Sequence, residues 1–477
     1  MVFPVSPRYN NLMKSAVLGV HFIGIGGIGM SGLARYFLAH GWAVSGSDAA
    51  VGIMTQELVK DGVEVKIGHK KGNIPAAARL VIYNRAIPPE NPELTAAEKA
   101  ARAGGSGEGG VIVLPYSKAL GRITEDYQTI AITGSHGKST TTALAGLALM
   151  RAGLDPTILV GTKLADLGGK NIRLGRGPYL VLEADDFHAA FLDYSPAISI
   201  VTNIDREHMD FYKTFANAKR AFLKFLSRTR RGGVLILNRD DAPLYSLRAQ
   251  IARLAKKREL KVIWFSTSGA GAAVARKIKK IIPISGAHNV SNAMAVVQLG
   301  KVLKISEKKI LGAIGSYKGA WRRMELKGTL KNTKIKVFDD YAHHPTEIRA
   351  TLAAFREKFP HSPLFCIFQP HQAKRLNILF KDFAAAFDVA DIVFILPLYK
   401  VLGRDEKFAH DSAALVKTMQ KRSPGKLIFY LEHPENIRLA VETILKNMRP
   451  QKQLAQSPVI VMMGAGDISE LTGKLLK

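Results

Sequence analysis

The run TIAITGSHGKSTTTALAGLAL, residues 129–149, restricts what this chain can fold into more than any other segment. Thr129–Ile132 reads as a strand, and the residues from Lys138 onward read as a helix. Between them stand Gly134, Ser135, His136 and Gly137, and the helix opens with Lys138, Ser139 and Thr140. Loop amides and a lysine at a helix N-terminus neutralise phosphate charge, and a hydroxyl there can hold magnesium. The spacing, Gly-x-x-Gly-Lys-Ser, is shorter than the common phosphate loop with four intervening residues. The bland alternative is a Gly/Ser/Thr loop that merely caps a helix. Gly-Lys-Ser-Thr lying directly between strand and helix favours the nucleotide-binding reading.

Upstream, AVLGVHFIGIGGIGMSGLARYFLAHGWAVSGSD repeats the strand–turn–helix–strand theme. Val17–Ile25 reads as a buried strand, Gly24–Gly29 as a turn, Met30–Ala39 as a helix, and a second strand ends at Asp48. Gly24, Gly26, Gly27 and Gly29 let backbone amides approach an anion. By position alone this turn suits NAD as well as any other nucleotide. The segment continues through EVKIGH and two more apolar runs, Ala101–Gly110 is expected to be a loop, and Tyr116–Asp126 a link to the next unit.

Downstream of the phosphate loop, YLVLEADDFHAAFL puts Glu183, Asp185 and Asp186 at the end of an apolar strand. AISIVTNIDREHMDFY does the same for Asn203, Asp205, Glu207, His208 and Asp210. Carboxylates beyond strand C-termini occupy the crevice where α/β sheets bind ligands, and hard oxygens there suit magnesium bridging phosphates. A lone histidine is more often a satisfied surface group, but His208 arrives beside these carboxylates. From about Gly328 strands and helices alternate again, with Asp340, His343 and His344 after one strand and His371, Lys374 and Arg375 after another. The fold class expected is therefore α/β with three nucleotide-type units.

A chain of 477 residues needs more than one core, which fits. Its formal charge of +29 would suit a polyanion, yet the basic residues are scattered and no nucleic-acid motif accompanies them. No nucleic-acid partner is expected. Nor is a membrane partner, because the apolar run after the polar Met1–Ser15 is short and broken by glycines, with no export signal. Cys366 is the single cysteine, so an intrachain disulfide is excluded and a cytoplasmic setting is expected.

The motifs GSHGKST, EADDFHAAFL, TNIDREHMD, GAHNVSNA, RRMELKG, DDYAHHPTEI and QPHQAKR, running in this order from HFIGIGGIGMSGLA to MMGAGDI, resemble those of the Mur ligases. The likeness covers nearly the whole chain and is strongest to the branch that adds L-alanine to UDP-N-acetylmuramate. It implies a three-domain Mur ligase architecture: a Rossmann-like N-terminal domain (1–122) for the UDP-sugar, a central P-loop-type ATPase domain (123–327), and a Rossmann-like C-terminal domain (328–477) for the amino acid. ATP and Mg2+ would be the cofactors, and UDP-N-acetylmuramate and L-alanine the partners. The phosphate loop Gly134–Thr140 would hold ATP, with Lys138 on the phosphates and Ser139 with Glu183 on a first magnesium. His208 would bind a second. Asn289 and Asn292, three apart on one helix face, would meet adenine, Arg323 the phosphates and Asp340 the ribose. Gly24, Gly26, Gly27, Gly29, Asp48, His69 and Asn203 would serve the UDP-sugar, and His343 and Arg375 the amino acid.

The resemblance has departures. Relatives usually carry PHRYxR where this chain has Pro370-His371-Gln372-Ala373-Lys374-Arg375, so one arginine is glutamine. The stretch from Asn238 to His288 is short, and hairpins expected there would be missing. Lys219 stands near where other members carry a carbamylated lysine, but its spacing from His208 differs and no such role is assigned. The competing readings are a ligase that attaches a whole tripeptide to the same UDP-sugar and a catalytically inactive nucleotide-binding relative. A folylpolyglutamate synthase lacks the N-terminal glycine-turn domain, and a dehydrogenase has no place for the second loop.

Overall fold

The computed structural model describes residues 18–103, 110–399, 409–448 and 456–476, and within them the strands form three separate sheets. The first contains β1 (Gly19–Ile23), β2 (Ala43–Asp48), β3 (Glu64–Ile67), β4 (Ala78–Tyr83) and β5 (Ile112–Pro115) in the order 3-2-1-4-5. All its pairings are parallel. Chain order reverses between β1 and β4, and that switch point opens the crevice into which the glycine turn projects.

The second sheet holds β6 (Gln128–Thr133), β7 (Thr157–Leu164), β8 (Lys170–Arg173), β9 (Tyr179–Glu183), β10 (Ile198–Val201), β11 (Val234–Asn238) and β12 (Lys261–Phe265) in the order 12-11-10-6-9-7-8. Only β7–β8 is antiparallel. The third holds β13 (Glu325–Thr329), β14 (Lys336–Asp340), β15 (Leu364–Phe368), β16 (Ile392–Ile395), β17 (Leu427–Tyr430) and β18 (Val459–Met463) in the order 13-14-18-15-16-17. Its antiparallel member is β13 at one edge. Strands such as β15 and β18 are buried along their whole length, which is why they read as unbroken apolar runs rather than alternating ones.

The cores explain which units are fastened together. Phe22 and Leu33 of the first unit belong to one apolar cluster with Leu159, Ile172, Leu182 and Phe191 of the second. The third sheet has its own clusters on its two faces, around Phe368 and Val461 on one side and Phe365 and Ile460 on the other. The third unit's contacts with the second include the Thr346–Asp205 hydrogen bond and the Arg375–Glu207 ion pair.

Several sequence expectations need correction. The helix after the glycine turn begins at Ile28, and the phosphate-loop strand runs Gln128–Thr133. Residues 101–103 are not loop but the end of the helix Pro92–Ala103, whereas 104–109 lie outside the described residues, as do Met1–Ser15. Tyr116–Thr124, expected as a link, is a helix with Ala119, Leu120 and Ile123 buried. Between Asn238 and His288 helices flank β12 and, among the described residues, no hairpin occurs.

A polar clamp reinforces the apolar joint between the first two units. Arg35, 6% exposed, donates to Asp61 (2.6 Å), Glu57 (3.0 Å) and, across the joint, Asn171 (2.8 Å). Lys163 and Lys170 of the second unit pair with the same Glu57 and Asp61. Arg35→Met should lower unfolding stability by about 2 kcal/mol, because the buried Asn171 oxygen and two acidic groups lose their shared donor. Urea unfolding of wild type and variant checks this.

Candidate active site

Strand order decides what surrounds the phosphate loop. β6 lies between β9 and β10, so the residues leaving those two strands face the loop leaving β6. Gly134 (φ +138°) and Gly137 (φ +81°) adopt backbone that other residues reach only with strain. A Cβ on Gly134 would collide with Thr202 Oγ1, and one on Gly137 with Asn292 Oδ1. Asn203 braces the loop from β10: it accepts from His136 N (2.8 Å) and donates to His136 O (3.0 Å).

Lys138 Nζ curls back onto Gly134 O (2.7 Å) and Ser135 O (3.1 Å) and pairs with Asp186 Oδ1 (2.8 Å). Burial works against its charge, but Asp186, Asp185 and Glu183 together raise its pKa, so the ammonium is permanent. Ser139 Oγ donates to Glu183 Oε1 (3.0 Å), while Gly161 N donates to Oε2 (2.6 Å). Burial pushes the Glu183 carboxyl above its ordinary range, a sign that this site favours added positive charge. Asp185, Asp186 and His208 place ligand atoms within 4.8 Å of one another. His188, Ala189 and His208 all have positive φ, so strained backbone gathers around this cluster.

Beside the loop opens a cavity of about 460 Å³, lined by Gly137, Asn289, Asn292, Arg323 and Asp340 among others. Asn289 donates to Ser285 O (2.7 Å) from the helix Ala287–Val302. Adjacent arginines part company: Arg322 is buried and donates to Asp339 (3.1 Å), Gly464 O (2.6 Å) and Gly466 O (3.1 Å), which leaves Arg323 to line the cavity. Asp339 and Asp340 divide likewise. Asp340 accepts from Met324 N (2.8 Å) and Ala342 N (2.9 Å) at the cavity wall.

The third unit reaches the loop through the N-terminus of the helix Pro345–Lys358. His136 Nε2 donates to Asp205 Oδ2 (2.9 Å), and Thr346 Oγ1 donates to the same oxygen (2.7 Å). His136 Nδ1 lies 3.4 Å from Glu347, which also receives His343 N. His343 Nδ1 donates to Tyr341 O (2.9 Å), and burial drops its pKa to about 4. Arg375, 9% exposed, directs Nε (3.2 Å) and Nη2 (2.7 Å) at Glu207 Oε1. Gln372, Lys374, Arg375, Glu207 and His208 line a second, much smaller pocket.

On the first unit, Gly26 N donates to Asp48 Oδ2 (2.8 Å), so Asp48 braces the glycine turn. Gly24 N joins Ser47 O (2.8 Å), and Gly29 packs against the Tyr116 ring. His69 follows β3, its Nδ1 near Ser47 and Glu93. The candidate groups thus gather at the C-terminal edges of three sheets rather than in one continuous cluster.

Family models match almost the entire chain: Mur ligase family, catalytic domain over residues 19–128; Mur ligase middle domain over 132–300; and Mur ligase, glutamate ligase domain over 322–466. The chain belongs to the Mur ligase family. It is 36% identical to a UDP-N-acetylmuramate–L-alanine ligase of Desulfatibacillum aliphaticivorans, covering 94% of this chain and 96% of that one. With the Aquifex aeolicus ligase of the same name identity is 35%, over 98% and 99% of the two chains. The UDP-N-acetylmuramate-alanine ligase structure from Thermotoga maritima superimposes with a TM-score of 0.74 at 25% identity, covering 96% of this chain and 98% of that one. A murein peptide ligase from Psychrobacter arcticus shares the fold, with a TM-score of 0.65 at 21% identity.

Sequence reasoning missed two groups in this Mur ligase: Glu347 and the buried Glu93. Glu347 lies in the first turn of its helix and accepts from the backbone of His343 just before it, but its approach to His136 is a tertiary event. The loop histidine carries a pH signature. Burial alone would lower its pKa, yet Asp205 and Glu347 raise it from 6.5 to about 9. The stabilisation from its protonated form is fully present below about 6.5 and is lost as pH rises through about 9. Thermal midpoints of wild type should therefore fall across that interval, and His136→Gln should flatten the fall.

Proposed function

We propose that this chain joins L-alanine to UDP-N-acetylmuramate, with ATP converted to ADP and phosphate. The observation that carries the proposal is a phosphate loop whose Lys138 and Ser139 face Asp186 and Glu183, in a chain alike end to end to ligases of that name. The proposed units are 1–122 for the UDP-sugar, 123–327 for ATP and 328–477 for the amino acid; β13, the edge strand of the third sheet, begins at Glu325. The setting proposed is the cytoplasm. Among the described residues no helix is long and apolar enough to cross a membrane.

The muramoyl carboxylate is a poor acyl donor, so it takes the terminal phosphate of ATP and becomes an acyl phosphate. The alanine amine then attacks and phosphate leaves. Bringing a carboxylate beside a triphosphate is repulsive, and preorganised positive charge has to offset that repulsion. In this proposal Lys138 and Arg323 contact the phosphates, Asn289 and Asn292 border adenine, and Asp340 borders the ribose. The hard oxygens of Ser139 and Glu183, 3.0 Å apart, fit a magnesium ion, and His208 beside Asp185 and Asp186 fits a second. Bound there, magnesium supplies further charge neutralisation on the phosphate oxygens. His343, kept neutral by burial with Nδ1 donating to Tyr341 O, offers Nε2 as an acceptor on the amino-acid side. Arg375 receives the alanine carboxylate through the Nη1–Nη2 edge of its guanidinium, while Glu207 holds the Nε–Nη2 edge in place.

Phosphate release from purified protein should require UDP-N-acetylmuramate, ATP, magnesium and an amino acid together. ATP turnover that ignores the UDP-sugar overturns the proposal. Lys138→Ala should lose at least about a hundredfold in turnover while remaining folded. Near-normal turnover by this variant would remove the loop from the chemistry.

Amino-acid choice is tested at Gln372. A lysine at 374 restores charge but not the forked geometry of an arginine, so L-alanine should be preferred with a raised KM, and Gln372→Arg should lower that KM. Glycine and L-serine should be the nearest competitors, since small side-chain differences are worth only about 1–3 kcal/mol in such a pocket. Steady-state kinetics with the three amino acids decides this, and a tripeptide as best substrate would refute it.

A further inference from the structure

A buried carboxylate on the first unit has no part in the chemistry above. Glu93, in the first turn of the helix Pro92–Ala103, is fully buried and receives five donors. Asn73 Nδ2 (2.8 Å), Lys70 N (3.1 Å) and His69 Nδ1 (3.2 Å) meet its Oε1. Ser47 Oγ (2.7 Å) and His21 Nε2 (3.0 Å) meet its Oε2. These donors come from β1, the end of β2 and the loop after β3, around the edge that carries the glycine turn and Asp48. Burial opposes the charge, but His21, Ser47 and Asn73 hold the carboxyl down at about 2. A desolvated carboxylate is costly, and a buried polar network replaced as a whole by well-packed apolar side chains is often no less stable, whereas removal of Glu93 alone would strand its five donors. The charge therefore needs a reason beyond packing.

The hydrogen-bond directions supply one. Ser47 gives its single proton to Glu93, so toward His69 Nδ1 (3.1 Å) its oxygen can only accept. Glu93 Oε1 also accepts from that nitrogen. Two acceptors around Nδ1 require the proton there. The opposite ring nitrogen, Nε2, has no protein partner among the described residues, and the side chain is 18% exposed. We propose that Glu93 is a positioning residue for the UDP-sugar: with Ser47 it fixes His69 in the Nδ1–H tautomer, so that Nε2 accepts from a hydroxyl or imide N–H of the nucleoside. This inference rests on the proposed UDP-sugar site.

Calorimetric binding of UDP-N-acetylmuramate to the full chain tests it, beside KM values for each substrate and thermal unfolding. Glu93→Gln should weaken UDP-sugar binding by about tenfold, because an amide brings its own protons to a site that is all donors, while the KM for ATP stays within about twofold. In a His69→Ala background the same change should add less than about twofold, since the two residues act as one unit. Losses that multiply, or no loss at all, overturn the positioning role. A second pair stands independently of whether Glu93→Gln folds. A glutamine amide reaches the Nε2 position and an asparagine amide only the Nδ1 position, so His69→Gln should retain binding better than His69→Asn. Asparagine equal to or better than glutamine overturns the proposal. Wild type that fails to bind UDP-N-acetylmuramate overturns the functional reading itself, whereas normal wild-type binding with unaffected variants overturns only the role of Glu93.

Discussion

Charge neutralisation at the end of β6 is the constraint around which the other parts are arranged. A loop of bare amides and one ammonium, Lys138, attracts anions, and without ligand it needs an anion of its own. Asp186 fills that need from the end of β9, and two loop carbonyls share the load. On the other side β10 delivers Thr202, Asn203 and Asp205, which fix the loop backbone and its histidine. The arrangement works because β6 is flanked by these two strands, so chemistry spread over some seventy residues of sequence converges on one edge.

The joints between units follow a different logic. The first two share apolar core as well as the Arg35 clamp, and apolar contact of that kind resists sliding. The third unit touches the loop through ion pairs and hydrogen bonds, among them His136–Asp205–Thr346 and Arg375–Glu207. Polar joints exchange their partners with water at little cost. A joint of this type suits a unit that, in the proposed reaction, would admit one substrate and then enclose it.

Legibility in the sequence varied with how local the governing interaction is. The strand–loop–helix around Gly134–Thr140 was legible because its signal lies within one short segment. The pairing of Ser139 with Glu183 was legible only through family likeness, since forty-four residues separate them. Arg322 and Arg323 are chemically identical in sequence, as are the carboxylates of Asp339 and Asp340. Which of each pair serves as an anchor and which lines the cavity depends on where β14 and β18 lie. The helix Tyr116–Thr124 escaped because its buried side is defined by packing partners rather than by a long periodic run.

By itself the sequence determined the class of the fold and the chemistry available to it: three α/β units, a phosphate loop, and carboxylates and histidines at strand ends. These follow from local rules, namely backbone freedom at glycine, burial of apolar strands and the charge of side chains beside a helix N-terminus. Only the tertiary structure decided which groups meet. It placed Glu347 against the loop histidine, turned Arg375 onto Glu207, and closed five donors around Glu93. Each of those contacts joins residues on different elements, and its distance is set by strand order and helix packing, which no local pattern of residues encodes.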